Sequence, residues 1–317
     1  MTVIENSQGS GKVTIDTFVL GCSQLGGLYR PMSDSESEQV LEAAWGSGVR
    51  HFDTAPHYGA GLSERRLGKF LSQFPRDTFT VSTKVGRLLV DTDDDVEGEH
   101  SFFGGDRKRR VLDYSSEGMH RSLEESLSRM GLDRVDTLYV HDPEDEDLEI
   151  AIHSGYVGIQ DLQSAGIVKH IGVGTTAVHP FERFVEETKI DVAMLAGRYT
   201  LLDETGLPGL NECARRGVSV VVAGVYNSGL LAAPRHGATY DYSEASNELV
   251  EKALNLKHRC DQAGIPLRAA AVQFTLRHRA ITKVAFGCRS PEQVADNLAM
   301  LLYPIPETFW SEIPQED

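Results

Sequence analysis

Eight short apolar runs recur along this chain, each separated from the next by an amphipathic segment, and that rhythm limits the fold more than any other feature. The runs are Thr17–Cys22, Val49–Asp53, Phe79–Val85, Val135–His141, Val168–Gly174, Asp191–Gly197, Val218–Gly224 and Thr282–Gly287. Helical patterns lie between them: Ser35–Gly46, Ser63–Phe74, Ser116–Met130, Asp147–Ala165, Pro180–Glu187, Gly206–Arg216 and Glu244–Ala263, with Pro291–Leu302 after the last run. Strands that alternate with helices pair in parallel through right-handed crossovers. Eight such units fit a closed barrel better than an open sheet. The expected fold is therefore α/β, a (β/α)8 TIM barrel with long loops after strands 3 and 7. Residues 1–317 read as a single domain, with 1–12 a frayed polar lead. Ser63 and Ser290 read as helix N-caps, the latter just before Pro291 at the first helical position.

Composition supports one large core and excludes several functions. The chain has 317 residues, 40% of them hydrophobic, a size that barrels reach as one domain. No apolar run approaches the roughly 18 residues of a membrane span. The opening MTVIENSQGSGK lacks the basic and apolar regions of a secretory signal, so a cytoplasmic location is expected. The four cysteines (Cys22, Cys213, Cys260 and Cys288) are scattered without metal-site or paired spacing, which fits reduced thiols. A formal charge of −16 argues against nucleic acid or an anionic membrane as partner. A small-molecule substrate remains.

Two interruptions break the rhythm, Gly86–Tyr114 after the third strand and Val225–Ser243 after the seventh. Loops at the C-terminal ends of barrel strands build active sites. Within the first, DTDDDVEGE reads as a solvated flap rather than a metal site, and GDRKRR as surface charge.

The candidate chemistry sits at successive strand ends. The second strand ends at Asp53, with Tyr58 a few residues later in HFDTAPHYGAG; the third ends near Lys84 and the fourth at His141. Each residue alone has an ordinary structural explanation. Together, on neighbouring parallel strands, they meet at one rim. A tyrosine hydroxyl titrates at about 10, too high for a ready base. A nearby ammonium favours the tyrosinate, a carboxylate holds that ammonium in place, and an imidazole can orient a carbonyl or hydroxyl oxygen. Such a group moves a proton on or off oxygen, the partner step of hydride transfer. His57 is incidental, or at most lines the pocket.

The segments FDTAPHYGAGLSERRLGKFL, VSTKVGR, GLDRVDTLYVHDPE, GRYTLLD and GCRSPEQVADN, in that order, resemble the aldo-keto reductase superfamily across about Phe18 to Leu302. DYSSEGMHRSLEESLSRMGLDRVDTLYVHDPE and VYNSGLL are similar to the branch containing aldose 1-dehydrogenases, L-galactose dehydrogenase and pyridoxal 4-dehydrogenase. The resemblance implies a catalytic tetrad of Asp53, Tyr58, Lys84 and His141. Tyr58 would be the general acid/base, Lys84 would depress its pKa, Asp53 would pair with Lys84, and His141 would position the substrate oxygen. For a sugar hemiacetal the product would be a lactone.

The resemblance also implies a nicotinamide cofactor across the barrel mouth. Its adenosine half maps to the segment from Gly287 through Arg289, Ser290 and Gln293 to Asn297, where helix N-terminal amides suit an anion. The family's NADP pattern has a Lys early in that segment and an Arg on the helix. Gly287 and Gln293 stand there, which tilts the reading to NAD, while Arg289 leaves NADP open. The loop containing Tyr226, Asn227, Ser228, Gly229 and Leu230 would cover the pyrophosphate. Relatives hold the nicotinamide amide with Ser-Asn and Gln; Thr175 and Thr176 could replace the first pair, whereas Ala196 offers no Gln contact. The stacking aromatic maps near Ala223, with Tyr226 as a candidate replacement.

A competing motif is GVGTTA, Gly172–Ala177, which matches a dinucleotide fingerprint with Asp191 as its ribose acid. Four βα units precede it and His179-Pro180 delays its helix, so these glycines read as close-approach positions. Other functions stay open at this level. They are pyridoxal or another aldehyde as substrate, a non-catalytic nucleotide-binding protein like the potassium-channel β subunits, and a hydrolase pairing Asp53 with Asp142.

Overall fold

The computed structural model describes residues 13–144, 147–241 and 243–311, so the expected polar lead, 1–12, lies outside the described residues. Eight parallel strands close into a barrel, each beside its sequence neighbours. They are β1 Phe18–Gly21, β2 His51–Asp53, β3 Thr80–Val85, β4 Val135–His141, β5 Val168–Thr175, β6 Val192–Ala196, β7 Ser219–Ala223 and β8 Ile281–Gly287. The expected runs are thus all strands, with ends that differ by a residue or two. Inside the barrel Val19, Tyr139, Val192, Met194, Val221 and Ala285 pack together. The outer core is a larger cluster between strands and helices.

The first glycine of GVGTTA is accounted for by packing. Gly172 sits in β5 with Tyr139 on one side and Val192 on the other. A Cβ there would lie 1.7 Å from the Val192 carbonyl oxygen. Asp191, the supposed ribose acid, lies at the opposite end of the barrel, accepting from the Ile171 amide at 3.0 Å and Gln163 at 2.7 Å. Gly172→Ala is expected to destabilise the fold by about 3 kcal/mol, the upper end of typical overpacking costs. Denaturant unfolding would show it as a lower midpoint at unchanged slope. A midpoint equal to the parent's would contradict the close approach.

Helices Asp34–Gly46, Leu62–Leu71, Ser116–Met130, Val178–Glu187, Leu207–Arg216, Asn247–Gln262 and Pro291–Leu301 match the expected patterns. The helix after β4 runs through Leu148–Ile150, a π turn at Ala151–Gly155, and Tyr156–Ser164. Ser290 caps its helix by accepting from the Gln293 amide. Ser63 does not. Gly61, in the left-handed region at φ 88°, occupies that cap, while the Ser63 hydroxyl is buried and donates to the Cys22 carbonyl at 2.7 Å. The helix Leu267–Thr275 was not anticipated. Its apolar residues run nearly all round, so it lacks the one-faced period that marks a surface helix.

Both long loops are built rather than loose. Arg87–Asp91 and Lys108–Leu112 pair as an antiparallel hairpin beside the barrel mouth. The GDRKRR segment therefore contributes a strand, and its Arg110 side chain is only 6% exposed. After β7, a 3-10 turn Asn227–Gly229 precedes a short pairing of Thr239–Tyr240 with Ser243–Glu244. No metal-binding cluster occurs among the described residues, and no helix there is long and apolar enough to cross a membrane.

Candidate active site

The barrel brings Asp53, Tyr58, Lys84 and His141 to one cleft of about 530 Å³. Three of them sit at or near the C-terminal ends of adjacent strands, Asp53 on β2, Lys84 on β3 and His141 on β4. Lys84 Nζ donates to Asp53 Oδ2 at 2.6 Å and to the Thr54 carbonyl at 2.9 Å. The other carboxylate oxygen, Oδ1, accepts from Ser82 Oγ at 2.7 Å. All three strand-borne side chains are buried. Tyr58 comes from the loop after β2, where Gly59, Ala60 and Gly61 are consecutively left-handed. The loop presses on Gly26: a Cβ on Gly59 would lie 2.3 Å from the Gly26 carbonyl. That turn aims Tyr58 back over the barrel, with Lys84 Nζ 4.7 Å from its ring centroid and the His141 ring edge-on at 6.0 Å.

The electrostatics follow from burial. Burial pushes the Tyr58 phenol up to about 12, and the Lys84 ammonium opposes that rise. Burial alone would lower Lys84, but the Asp53 carboxylate and Tyr58 overcome it, so Lys84 ends above its ordinary value and stays charged. Burial, with Arg87 and Lys84 nearby, holds His141 well below its ordinary value, so its imidazole is neutral. The site thus pairs a permanent cation with a phenol and a neutral imidazole.

The hairpin forms the wall that the sequence did not reveal. His100, Ser101 and Phe102 line the cleft, with Leu28 bridged to Phe102 beside them. Arg110 donates to the His57 carbonyl at 3.1–3.2 Å, holding that loop. His57 lines the cleft, its ring 5.6 Å from that of His141. Tyr114 OH reaches the carbonyls of His141 and Asp142 at 2.7 and 2.8 Å. The place of this loop after the third strand is the sequence sign that it packs on the mouth.

The other half of the cleft is floored by small residues: Gly21, Gly174, Ala196, Ala223, Gly224 and Gly287. Thr175 and Thr176 edge it. That floor leaves room for a flat ring, as a nicotinamide needs. Tyr226 does not line it. Its hydroxyl donates to Asn297 Oδ1 at 2.9 Å, which turns the ring toward Phe286, away from the stacking position expected of it. Asn297 also donates to Cys288 Sγ at 3.4 Å, so its amide is already engaged. Asn227 and Ser228 are left-handed at φ 45° and 55°, followed by Gly229 at 97°. Asn227 Nδ2 donates to the Gly197 carbonyl at 3.3 Å, and its buried Oδ1 has no partner. Leu230 is buried beneath the turn. Gln293 Oε1 accepts from the Arg289 amide at 2.8 Å.

A larger cavity of about 760 Å³ opens at the other end of the barrel, lined by His51, His170, Asp191 and Lys283 among others. None of the tetrad reaches it, and barrel chemistry is found at the C-terminal face.

The family model for the aldo/keto reductase family matches residues 17–316. The chain belongs to the aldo-keto reductase family. It is an oxidoreductase of that family, and relatives agree over nearly full length. It is 39% identical to a D-threo-aldose 1-dehydrogenase of Pseudomonas sp, covering 99% of this chain and 98% of that protein. It is 37% identical to a pyridoxal 4-dehydrogenase of Microbacterium luteolum, over 97% and 96% of the two chains. Among solved structures, an aldo-keto reductase from Bacillus halodurans in its holo form superposes with TM-score 0.75 at 21% identity, over 99% and 97% of the two chains. That last likeness concerns the barrel fold.

Proposed function

We propose that this aldo-keto reductase oxidises C1 of an aldose to the lactone, with Tyr58 as general base. The observation that carries this is the buried Asp53–Lys84 pair under a phenol that faces a neutral imidazole. A bound nicotinamide dinucleotide supplies the hydride acceptor. The chain's residues handle the proton. Tyr58 takes the anomeric hydroxyl proton, Lys84 stabilises the tyrosinate that does so, Asp53 fixes Lys84, and His141 orients the reacting oxygen. The similarity to a D-threo-aldose 1-dehydrogenase favours a sugar. The similarity to a pyridoxal 4-dehydrogenase makes pyridoxal the second reading.

The cofactor reading is NAD. Arg289, the one cation that left NADP open, is committed elsewhere. Its Nη1 donates to Gln24 Oε1 at 2.9 Å and the Leu28 carbonyl at 2.7 Å, and its Nη2 to the carbonyls of Arg30 and Pro31 at 3.3 and 3.1 Å. A guanidinium spread over four acceptors gains little by turning to a 2′-phosphate. Arg289→Ala is expected to change the ratio of NADP to NAD dissociation constants by less than about threefold, because no phosphate-specific contact is lost. A tenfold or larger loss confined to NADP would reverse this reading.

The test of function is absorbance at the reduced-nicotinamide band with NAD or NADP, against aldoses and pyridoxal at mildly alkaline pH. A rise with L-fucose, L-galactose or a related sugar supports the aldose reading; a rise with pyridoxal alone replaces the substrate. Nucleotide binding with no turnover in either direction would reject the catalytic assignment.

A further inference from the structure

We propose that Asp142 selects the substrate by accepting a hydrogen bond from a hydroxyl on the carbon next to the reacting one. The inference rests on the aldose reading and states its substrate class: α-hydroxy carbonyl compounds and their cyclic hemiacetals.

Two carboxylates line the cleft among the described residues, Asp53 and Asp142. Asp53 is committed, with Lys84 on one oxygen and Ser82 on the other. Asp142 receives Arg87 Nη2 at a long 3.3 Å; burial pushes its carboxyl above the ordinary value, while Arg87, Lys84 and the Thr176 backbone amide oppose that rise. A carboxylate offers about four lone-pair sites, so acceptor capacity remains and it faces the cleft. Its Oδ2 stands 3.4 Å from His141 Nε2. Oxygens on adjacent carbons lie about a hydrogen-bond length apart. When His141 Nε2 orients the reacting oxygen, a neighbouring hydroxyl therefore falls beside Asp142.

The backbone indicates that this placement is enforced. Asp142 is left-handed at φ 41°, a conformation that costs a non-glycine residue about 1 kcal/mol or more and gathers at functional sites. It is held there from two sides. The Asp142 amide donates to the Gly174 carbonyl at 2.9 Å, and Tyr114 OH donates to the carbonyls on either side of the turn. Beyond it, His57 Nδ1 is buried without a partner, beside the His141 ring. Burial and the neighbouring Arg87 and Arg110 hold His57 down to about 2, so it meets a ligand as a neutral imidazole. A polyhydroxylated chain extending from the reacting carbon would meet Asp142 first and His57 next.

The experiment compares kcat/KM for matched pairs: L-galactose against 2-deoxy-L-galactose in oxidation, and glycolaldehyde against acetaldehyde in reduction. The native enzyme is expected to prefer the hydroxylated member of each pair by about 10- to 100-fold, the range for a hydrogen bond to a charged group. Asp142→Asn, which is nearly isosteric, is expected to shrink that preference to about threefold or less. The readout is the ratio, so a general loss of activity in the variant does not imitate the result. A native preference below threefold overturns the inference. So does a variant that loses both members of a pair equally, which would make Asp142 a positioning residue for His141. Turnover of none of these compounds overturns the aldose reading, and the inference with it.

Discussion

Tyr58→Phe is expected to lower kcat by about 10³-fold, within the range that a positioned acid or base contributes, while nucleotide affinity stays within twofold. The phenol oxygen is the only atom removed, and the ring keeps its contacts with Phe102, His141 and Lys84. Stopped-flow turnover together with nucleotide titration by fluorescence separates the two effects. Turnover within tenfold of the parent would exclude Tyr58 as the proton relay. The size of the loss follows from the surroundings. Burial raises the phenol to about 12, against the pull of Lys84. Water reaching the same place would have to become hydroxide, and with a pKa of about 15.7 in bulk it supplies that base far less readily than the phenol, even beside Lys84.

Lys84→Met is expected to lower kcat/KM for oxidation by about 100-fold or more, and to move the half-maximum of the pH profile upward. The sign follows from the charge. Oxidation needs the tyrosinate, Lys84 lowers the phenol's pKa, and its removal leaves burial unopposed. Reduction needs the protonated phenol and is expected to tolerate the change better. The single variant also strands the Asp53 carboxylate without its partner, and breaking a buried pair costs about 3–5 kcal/mol. Asp53→Asn combined with Lys84→Met removes that charge. A kinetic loss that persists in the double variant at full folding reports chemistry; a pH profile coincident with the parent's would remove Lys84 from its assigned role.

The barrel was legible because its eight strands are buried on both sides, so each reads as an apolar run bounded by polar turns. The helix Leu267–Thr275 was not, since an alanine-rich segment buried all round carries no period to detect. The tetrad was legible because each member lies at or just beyond a strand end, and strand ends of a parallel barrel share one face. The wall of the cleft was not. Arg110 reads as surface charge in GDRKRR, and its burial depends on pairing with Arg87–Asp91 across an exposed acidic run. Arg289 shows the same limit from the other side. Its sequence position suggests a phosphate, whereas its two terminal nitrogens donate to carbonyls more than 250 positions earlier in the chain. Pairings over such separations leave no trace in local pattern.

Tyr114 bears on how such loops can be exchanged between relatives. Its hydroxyl ties the root of the hairpin to the carbonyls of His141 and Asp142, so the hairpin and the end of β4 form one mechanical piece. A graft that replaces 87–112 and keeps the native Tyr114 inherits the anchor. A graft cut beyond Tyr114 releases the strand end that carries His141. The modular boundary of this enzyme therefore falls inside what looks like a single loop, one residue short of the anchor at Asp113.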